Sequence, residues 1–391
     1  MISNRIEQKL QGGSLIRKMF DEGRRLKAIY GDDNVFDFSI GNPDLEPPIE
    51  VKDAIRNLAN SDEPGMHGYM GNNGYPETRA AVAGKLSKDS GLEISPDAIC
   101  MTVGAGSAMN NVLRAILDPD DEIILLAPFF LEYMNYIDNV FGKIVIVNTD
   151  PDTFLPIIED IEKAITPRTK AIVVNSPNNP SGAIYPKEVL IALNEMLLRQ
   201  DHVIHVISDE PYIDLAYDNM TVPSSLACFD NVIVCFSWSK SLSLPGERIG
   251  YTAVSPKHAD YDKLTAALTL CNRILGSVNA PALMQKVICL AIDAKVDVPN
   301  YEHRRNLLYD IIVGAGFECT KPQGALYIFM KSPIKDSDFA DVCAKYNVLI
   351  VPGSAFKREG YARLAFCVSE QTILGSKPAF EAIAKELGLK K

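Results

Sequence analysis

The chain has 391 residues, enough for two or three domains of ordinary size. Hydrophobic residues make up 47% and charged residues 23%, which excludes a disordered or collagen-like chain. Lys and Arg number 39 and Asp and Glu 50, and the resulting charge of −11 argues against a general nucleic-acid binder and against docking on an anionic membrane. A local basic pocket for a small anion remains compatible with this charge.

No apolar run approaches the roughly 20 residues of a membrane-spanning helix, and the first twenty residues lack the apolar centre of a secretory signal. The eight cysteines include no CxxC pair, and we interpret them as reduced core thiols of a cytoplasmic protein. His202 and His205 are predicted to lie on opposite faces of a strand. We therefore predict neither a disulfide framework nor a metal site.

The first predicted element is a helix over residues 14–30, which ends before the loop GNPDLEPP. Short apolar, β-branched runs then alternate with helical patterns, which indicates an α/β unit with a mostly parallel sheet and helices on both faces. The predicted strands are residues 35–40, 98–103, 122–127, 143–148, 170–175, 203–208, 231–236 and 249–254. The predicted helices between them include residues 105–116, 130–140 and 187–198.

The pattern changes after about residue 280. A helical stretch over 282–294 is interrupted near Pro299 and resumes over 304–313. Shorter strands follow at 326–330, 348–351 and 362–367, and a closing helix is predicted at 377–387. This order predicts a smaller α+β domain. The N-terminal 45 residues are too few to form a domain and are expected to pack on it.

Candidate functional residues are the polar side chains at the ends of buried strands, because open parallel sheets bind ligands at that edge. In TVGAGS, Gly104, Ala105 and Gly106 lie between a strand and a helix, where backbone amides can approach an anion. A plain tight turn explains this motif equally well. The motif NSPNNPSG, which contains Asn179, is likewise compatible with simple turn chemistry.

Three charged residues follow apolar runs or lie within one. Asp209, in ISDEPY, either caps the next helix or is a buried carboxylate that awaits a cation. Lys240, in FSWSKSLSLPG, is either a solvated loop lysine or a partly desolvated amine that attacks carbonyl groups. Arg363 lies inside an apolar strand pattern and needs an anion, which is either a neighbouring carboxylate or that of a substrate.

Together these motifs resemble those of the class I/II aminotransferases, which have fold type I and depend on pyridoxal phosphate. Asn179, Asp209, Lys240 and Arg248 are separated by 30, 31 and 8 residues, as in that family. The resemblance runs from GNPD at 41–44 to the strand that holds Arg363. It implies a large, seven-stranded-type, mostly parallel sheet domain over residues 46–285. The small α+β domain is then formed by residues 1–45 and 286–391.

The resemblance also implies roles for individual residues. Lys240 would bind the cofactor covalently and, when free, move a proton between the substrate Cα and the cofactor. Asp209 would pair with the ring nitrogen, while Asn179 and Tyr212 hydrogen-bond the ring oxygen. The residues expected around the cofactor phosphate are Gly104, Ala105, Gly106, Ser237, Ser239 and Arg248.

Three further positions follow from the same resemblance. Phe130, where many relatives have Tyr or Trp, would stack on the ring, with core packing as the alternative. Arg363 would bind the substrate α-carboxylate, helped by Asn179 and the backbone of Gly41. Tyr69 resembles a tyrosine that reaches the phosphate of the neighbouring subunit, which implies a homodimer with a shared active site. A buried core tyrosine is the alternative for Tyr69.

The implied reaction is ping-pong transfer of an amino group between an L-amino acid and a 2-oxo acid, with aspartate and 2-oxoglutarate as the default pair. Arg17, Lys18 or Arg273 could hold a distal carboxylate, or each could be a surface charge. A cystathionine-type C–S β-lyase shares the fold and the motifs. A catalytically silent ligand-binding module is the alternative outside the enzymes.

Overall fold

A computed structural model describes residues 2–12 and 15–389. The strands are β1 (Phe36–Asp37), β2 (Ile99–Thr102), β3 (Glu122–Ala127), β4 (Lys143–Asn148), β5 (Thr169–Asn175), β6 (His205–Asp209), β7 (Val232–Ser237), β8 (Gly250–Val254), β9 (Tyr327–Lys331), β10 (Val348–Leu349), β11 (Val351–Pro352) and β12 (Tyr361–Ala365). The helices are α1 (Asn4–Gly12), α2 (Leu15–Tyr30), α3 (Ile49–Ala59), α4 (Pro76–Ser90), α5 (Ala105–Ile116), α6 (Glu132–Asn139), α7 (Ile158–Ala164), α8 (Lys187–Leu198), α9 (Ser225–Cys228), α10 (Trp238–Ser241), α11 (Tyr261–Ile274), α12 (Ala282–Leu290), α13 (Val298–Ala315), α14 (Asp336–Lys345), α15 (Glu370–Gly375) and α16 (Lys377–Glu386).

The large sheet has seven strands in the order β2-β8-β7-β6-β5-β3-β4. Neighbouring strands in the part of the sheet with the order β7-β6-β5-β3-β4 are parallel. Strand β8 is antiparallel to both β2 and β7. All residues of β7 and β8 are buried, as are nearly all of β5 and β6. The predicted α/β fold with a mostly parallel sheet is therefore confirmed, because apolar runs of this kind suit strands covered on both faces.

The register of the central strands determines which side chains meet at the sheet edge. Asn175 at the end of β5 pairs with Asp209 at the end of β6, and Asp209 pairs with Cys235 of β7. Asp209 is thus the last residue of a strand, one residue beyond the predicted end, and does not cap a helix. The polar residues that follow these strands lie at one edge as a result.

Two smaller sheets join the chain ends. An antiparallel sheet has the order β11-β12-β9, and β1 pairs in parallel with β10. The strand predicted at 35–40 is therefore only two residues long and lies outside the large sheet. The strand predicted at 348–351 divides between two sheets. The domain boundaries at 46 and 285 stay a prediction, which the pairing of Phe36 with Val348 supports.

Several helices differ from the sequence prediction at their ends. The helix predicted over 282–294 ends at Leu290, and α1 was not predicted. Pro299 lies in the first turn of α13 rather than interrupting a helix, and the Asp297 side chain accepts a hydrogen bond from the backbone N–H of Asn300 there. Proline is tolerated at this position because the first N–H groups of a helix have no partner within it.

The cysteines and histidines have structural surroundings. All eight cysteines are free, and Cys289 and Cys319 are half-buried rather than fully in the core. His202 precedes β6, so its predicted place in a strand is wrong. The Nδ1 atom of His205 lies 2.9 Å from Nε2 of His258, and the two rings stack. Among the described helices, none is long and apolar enough to cross a membrane.

Candidate active site

A cavity of about 350 Å³ opens at the carboxyl ends of β5, β6 and β7 and extends to β12. Most of the predicted site residues line it together, although they are distant in the sequence. Those that line the cavity are Gly41, Ala105, Gly106, Phe130, Asn179, Asp209, Tyr212, Ser237, Ser239, Lys240, Arg248 and Arg363.

Lys240 lies on the short helix α10, directly after β7, and points into the cavity. Its Nζ donates a hydrogen bond to the carbonyl oxygen of Gly41, at 2.6 Å. Desolvation lowers the pKa of the Lys240 amine to about 8, and the positive charges of Arg363 and Arg248 act in the same direction. A sizeable fraction of this amine is therefore neutral near pH 8, as a nucleophile or proton acceptor requires.

Asp209 is buried and has one unpaired oxygen. Its Oδ2 accepts a hydrogen bond of 2.5 Å from the hydroxyl of Tyr133, while its Oδ1 has no partner among the described residues. Burial raises the pKa of Asp209 to about 6, and the Tyr133 hydrogen bond opposes that change. A buried acceptor without a partner indicates a ligand that donates a hydrogen bond, and the protonated ring nitrogen of pyridoxal phosphate is such a donor.

The N-terminus of α5 forms a cradle for an anion. Gly104 has a φ of 84° immediately before this helix, and a Cβ there would lie 2.7 Å from Nη2 of Arg248. The Arg248 guanidinium is held over the helix end by the carbonyl oxygens of Pro245 and Val103. Because a helix N-terminus and a guanidinium both attract negative charge, this corner suits a phosphate group. The phosphate of pyridoxal phosphate is such a group.

Asn179 and Tyr212 belong to one hydrogen-bonded group. The Asn179 amide donates to the Tyr212 hydroxyl at 3.4 Å, and that hydroxyl lies 3.1 Å from the hydroxyl of Tyr327. The backbone N–H of Asn179 donates to the side chain of Asn175 at 2.7 Å, which holds the turn against β5. These donors can face the ring oxygen of the same cofactor.

Arg363 is only 3% exposed and pairs with no carboxylate in the described part of the chain. It donates to Oδ1 of Asn179 at 3.2 Å and to the carbonyl oxygen of Ser39 at 2.7 Å. Its Nε is buried without a described partner, and its guanidinium packs against the rings of Tyr327 and Phe356. A buried cation with unused donors requires an anion, and a substrate carboxylate fits.

Two predicted residues lie outside the cavity lining. Gly104 is adjacent to it through Arg248, whereas Tyr69 is 92% exposed. The interpretation of Tyr69 as a buried core residue is therefore wrong. Arg273 is exposed on α11 and does not line the cavity. The side chains of Arg17 and Lys18 lie outside the described residues.

Three aromatic residues of the cavity were missed at the sequence level: Tyr133, Tyr136 and Tyr327. Tyr133 follows Phe130 at helical spacing, and the two rings meet edge to face at 5.6 Å. Tyr327 lies on β9, two residue pairs from Arg363 on the neighbouring strand. Recognising them required the strand pairing and the position of α6, although the spacing from Phe130 was a usable signal for Tyr133.

An enzyme that binds pyridoxal phosphate needs one group at the ring nitrogen and others at the phosphate, and it needs an amine and an arginine that face the substrate. The side chains of this cavity are placed to meet these needs. The sheet and the cavity define the class of fold type I enzymes that use pyridoxal phosphate on amino acids.

Comparison with known proteins narrows this class. Residues 33–374 match the family of class I and II aminotransferases. A probable aspartate/prephenate aminotransferase from Thermus aquaticus is 36% identical over 354 residues, 89% of this chain and 90% of the relative. An amino transferase structure from Eubacterium rectale has a TM-score of 0.95 at 38% identity and 99% coverage of both chains. The aspartate aminotransferase of Thermus thermophilus with maleate has a TM-score of 0.87 at 30% identity, covering 98% of this chain and 99% of that one.

This chain belongs to the class I and II aminotransferase family. It is a pyridoxal-phosphate-dependent enzyme that moves an amino group between an amino acid and a 2-oxo acid. The predicted family, fold, reaction and cofactor are confirmed, in preference to the C–S β-lyase and the silent binding module.

Proposed function

We propose that the cavity around Lys240 is the active site, and that each residue there has the role implied by the family. The observation that supports this most directly is the convergence of Lys240, the unpaired Oδ1 of Asp209 and the uncompensated Arg363 on one cavity. These groups come from three separate parts of the chain. Their convergence needs a common ligand, because each is costly to bury alone.

Pyridoxal phosphate, when bound, supplies an electron-withdrawing ring that carries the amino group between the two half-reactions. Asp209 stays ionised beside the ring nitrogen and holds the proton there. Arg363 binds the α-carboxylate and thereby fixes the Cα–H bond near Lys240. The neutral Nζ of Lys240 accepts the α-proton and returns it, with the Gly41 carbonyl as its resting partner.

We propose L-aspartate and 2-oxoglutarate as the substrate pair, because the similar proteins from Thermus are named a probable aspartate/prephenate aminotransferase and an aspartate aminotransferase. A second candidate is an aromatic amino donor. It is favoured by the apolar and aromatic part of the cavity lining, which includes Ile40, Met109 and Tyr136. The two candidates differ in one requirement. The side-chain carboxylate of L-aspartate needs a further cation, and an aromatic side chain does not.

The test is a panel of half-reactions with single amino donors, followed by the change in the visible absorbance of the cofactor. The ratio of the half-reaction rate constant to the dissociation constant should be largest for L-aspartate, ahead of L-phenylalanine and L-alanine. Arg363→Lys should lower that ratio by about 10- to 100-fold for every donor, because a point charge replaces a two-pronged contact. Rapid reaction of L-phenylalanine with slow reaction of L-aspartate would favour the aromatic candidate.

The proposed cofactor residues are tested by the spectrum of the purified protein. Lys240→Ala should abolish the absorbance band of covalently bound cofactor, and Lys263→Ala, at an exposed position on α11, should leave it unchanged. A band that persists in Lys240→Ala would show that another amine binds the cofactor.

We further propose a cytoplasmic homodimer. Tyr69 is almost fully exposed in the single chain, which suits a side chain that reaches the active site of a neighbouring subunit. The free cysteines suit a reducing compartment.

A further inference from the structure

A second cavity, of about 510 Å³, lies behind the candidate active site. It is bounded by α4, the loop that follows β6 and the segment between α12 and α13. It shares no lining residue with the cavity around Lys240. The reaction described above makes no use of it.

The two cavities lie back to back, because their lining residues alternate along the chain. Glu210 lines the second cavity and directly follows Asp209 of the first. Trp238 lines the second cavity and lies between Ser237 and Ser239 of the first. Phe236 lines the second cavity and Ser237 the first, and both belong to the strand β7, in which adjacent residues point to opposite faces, so one layer of backbone separates the two sites.

The carboxylates of Glu210 and Asp214 both line the second cavity. Glu210 is 5% exposed, and its Oε1 accepts hydrogen bonds from the hydroxyls of Ser208 and Ser225. No described residue donates a hydrogen bond to the Oε2 atom of Glu210. Asp214 also lines the cavity and is half-buried, and the charges of Lys85 and Lys295 act on it without an ion pair among the described residues. A ligand in the cavity can therefore donate a hydrogen bond to each carboxylate.

Burial of these carboxylates has an electrostatic cost. Desolvation raises the pKa of Glu210 to about 7, and the nearby charges of Asp209 and Asp214 act in the same direction. Desolvation also raises the pKa of Asp214, although Lys85 and Lys295 at the cavity rim oppose this. A cation bound between the two carboxylates would remove this cost, because it stabilises their ionised forms.

The remaining walls indicate what kind of cation fits. Phe236, Trp238 and Tyr251 form a cluster with ring centroids 4.9–5.4 Å apart, and all three line the cavity. Aromatic surface favours an organic cation with an apolar body. Within residues 2–12 and 15–389, no group of three or more His, Cys, Asp or Glu side chains is arranged to hold a metal ion.

We propose that this cavity is a second binding site, for a small molecule that has a primary ammonium group on an apolar body. The ammonium group donates to Oε2 of Glu210 and to the carboxylate of Asp214, and the apolar body lies against Trp238 and Tyr251. Lys295 at the rim is placed to meet a carboxylate when the molecule is an amino acid, whereas Lys85 is paired with Asp89, which also lines the cavity. A free amine and an amino acid share the required chemistry.

The structure offers a direct reporter for this proposal. Trp238 is the single tryptophan of the chain and lies in the cavity wall, so its fluorescence reports occupancy. Phenethylamine is the first probe, because it has the ammonium group and the aromatic body but no carboxylate for Arg363. We expect a saturable change in the fluorescence of the purified enzyme. 3-Phenylpropionate, which has no ammonium group, should produce none.

Two variants locate the bound amine. Asp214→Asn should weaken phenethylamine binding about tenfold or more, because it removes one charge partner. Val222→Phe should abolish binding by filling the cavity from its rim. The matched control is Asp201→Asn, an exposed aspartate before the opposite end of β6, which should leave binding unchanged.

No saturable change with phenethylamine, or a change that survives both Asp214→Asn and Val222→Phe, would overturn the proposal. L-Phenylalanine is the second probe, and the part of its signal that is lost in Asp214→Asn reports this cavity. Tighter binding of L-phenylalanine by that measure assigns the site to amino acids, and tighter binding of phenethylamine assigns it to simple amines.

Discussion

Individual residues give the candidate active site a local positive charge, although the protein as a whole is acidic. The chain carries −11, yet Lys240, Arg248 and Arg363 line one cavity in which Asp209 is the single carboxylate among the described lining residues. The positive charges favour anionic groups of both cofactor and substrate, and they add to the effect of desolvation, the larger cause, in lowering the pKa of the Lys240 amine. Net charge excluded nucleic acid as a partner but could not reveal this local arrangement.

The lowered pKa of Lys240 predicts its reactivity. In protein freed of cofactor, acetylation of Lys240 by acetic anhydride should rise with pH and reach half its maximum near pH 8, because the neutral amine is the reactive form. Exposed lysines titrate near pH 10.4. Mass spectrometry of labelled peptides measures all lysines in one experiment. A midpoint for Lys240 equal to that of the exposed lysines would contradict the prediction.

The hydroxyl of Tyr133 should determine the acid limit of cofactor binding, which is the pH below which the affinity for the cofactor begins to fall. Its hydrogen bond favours the ionised form of Asp209, so Tyr133→Phe raises the pKa of Asp209 above its value of about 6. Cofactor affinity, which needs the ionised carboxylate, should then begin to fall at a pH higher by roughly one unit. Absorbance titrations at a series of pH values measure this.

The control for Tyr133→Phe comes from the same cavity. Tyr136→Phe removes a hydroxyl that does not hydrogen-bond Asp209, so the acid limit should stay where it is in the unaltered protein. Equal shifts in the two variants would mean that Tyr133 does not act through its hydrogen bond.

At the level of elements, the contact between β7 and β8 depends on a glycine. A Cβ at Gly250 would lie 2.2 Å from the carbonyl oxygen of Phe236 and 3.0 Å from the backbone of Gly104. The three backbone segments that hold Ser237, Arg248 and the start of α5 meet here. Because the neighbours are backbone atoms, no side-chain rotation relieves the clash.

Gly250→Ala should therefore lower the free energy of unfolding, by about 1–3 kcal/mol as for other overpacked sites. Gly84→Ala is the matched control, because Gly84 lies within α4 with open space around its Cβ position. That change should raise the free energy of unfolding by about 0.4–1 kcal/mol, since alanine restricts the unfolded chain. Urea unfolding measures both, and similar stability of the two variants would contradict the packing argument.

Elements differ in how far the sequence could predict them. The bounds of β3, β4, α5 and α8 were predicted without error, because apolar periodicity within the segment determines such elements. The strand β1 was predicted too long, and β10 and β11 were predicted as one strand over 348–351, because short edge strands end where the partner strand ends. No pattern within the segment records that limit.

At the level of the whole molecule, the proposed shared active site predicts complementation between two inactive variants. Lys240→Ala and Tyr69→Ala should each lose most activity. When the two are unfolded and refolded together, about a quarter of the sites should recover, because half of the randomly assorted dimers contain one intact site. The assay is the steady-state transfer rate of the mixture.

The control uses Lys240→Ala mixed with Asp209→Asn, both of which alter the same subunit's part of the site. That mixture should not recover, because no assortment joins an intact Lys240 and Asp209 in one chain. Absence of recovery in the Tyr69→Ala mixture, with dimers present by sedimentation, would show that the active site is not shared.

The sequence by itself determined the class of the fold, the family and the identity of most cavity residues. These depend on local features: the alternation of apolar runs, and the order and spacing of Asn179, Asp209, Lys240 and Arg248. The tertiary structure alone decided which alternative held for each motif. Whether Asp209 has an unpaired oxygen, whether Arg363 lacks a carboxylate, and whether Tyr69 is exposed depend on contacts between segments far apart in the chain. Burial and hydrogen bonding are properties of those contacts, so spacing along one chain does not record them.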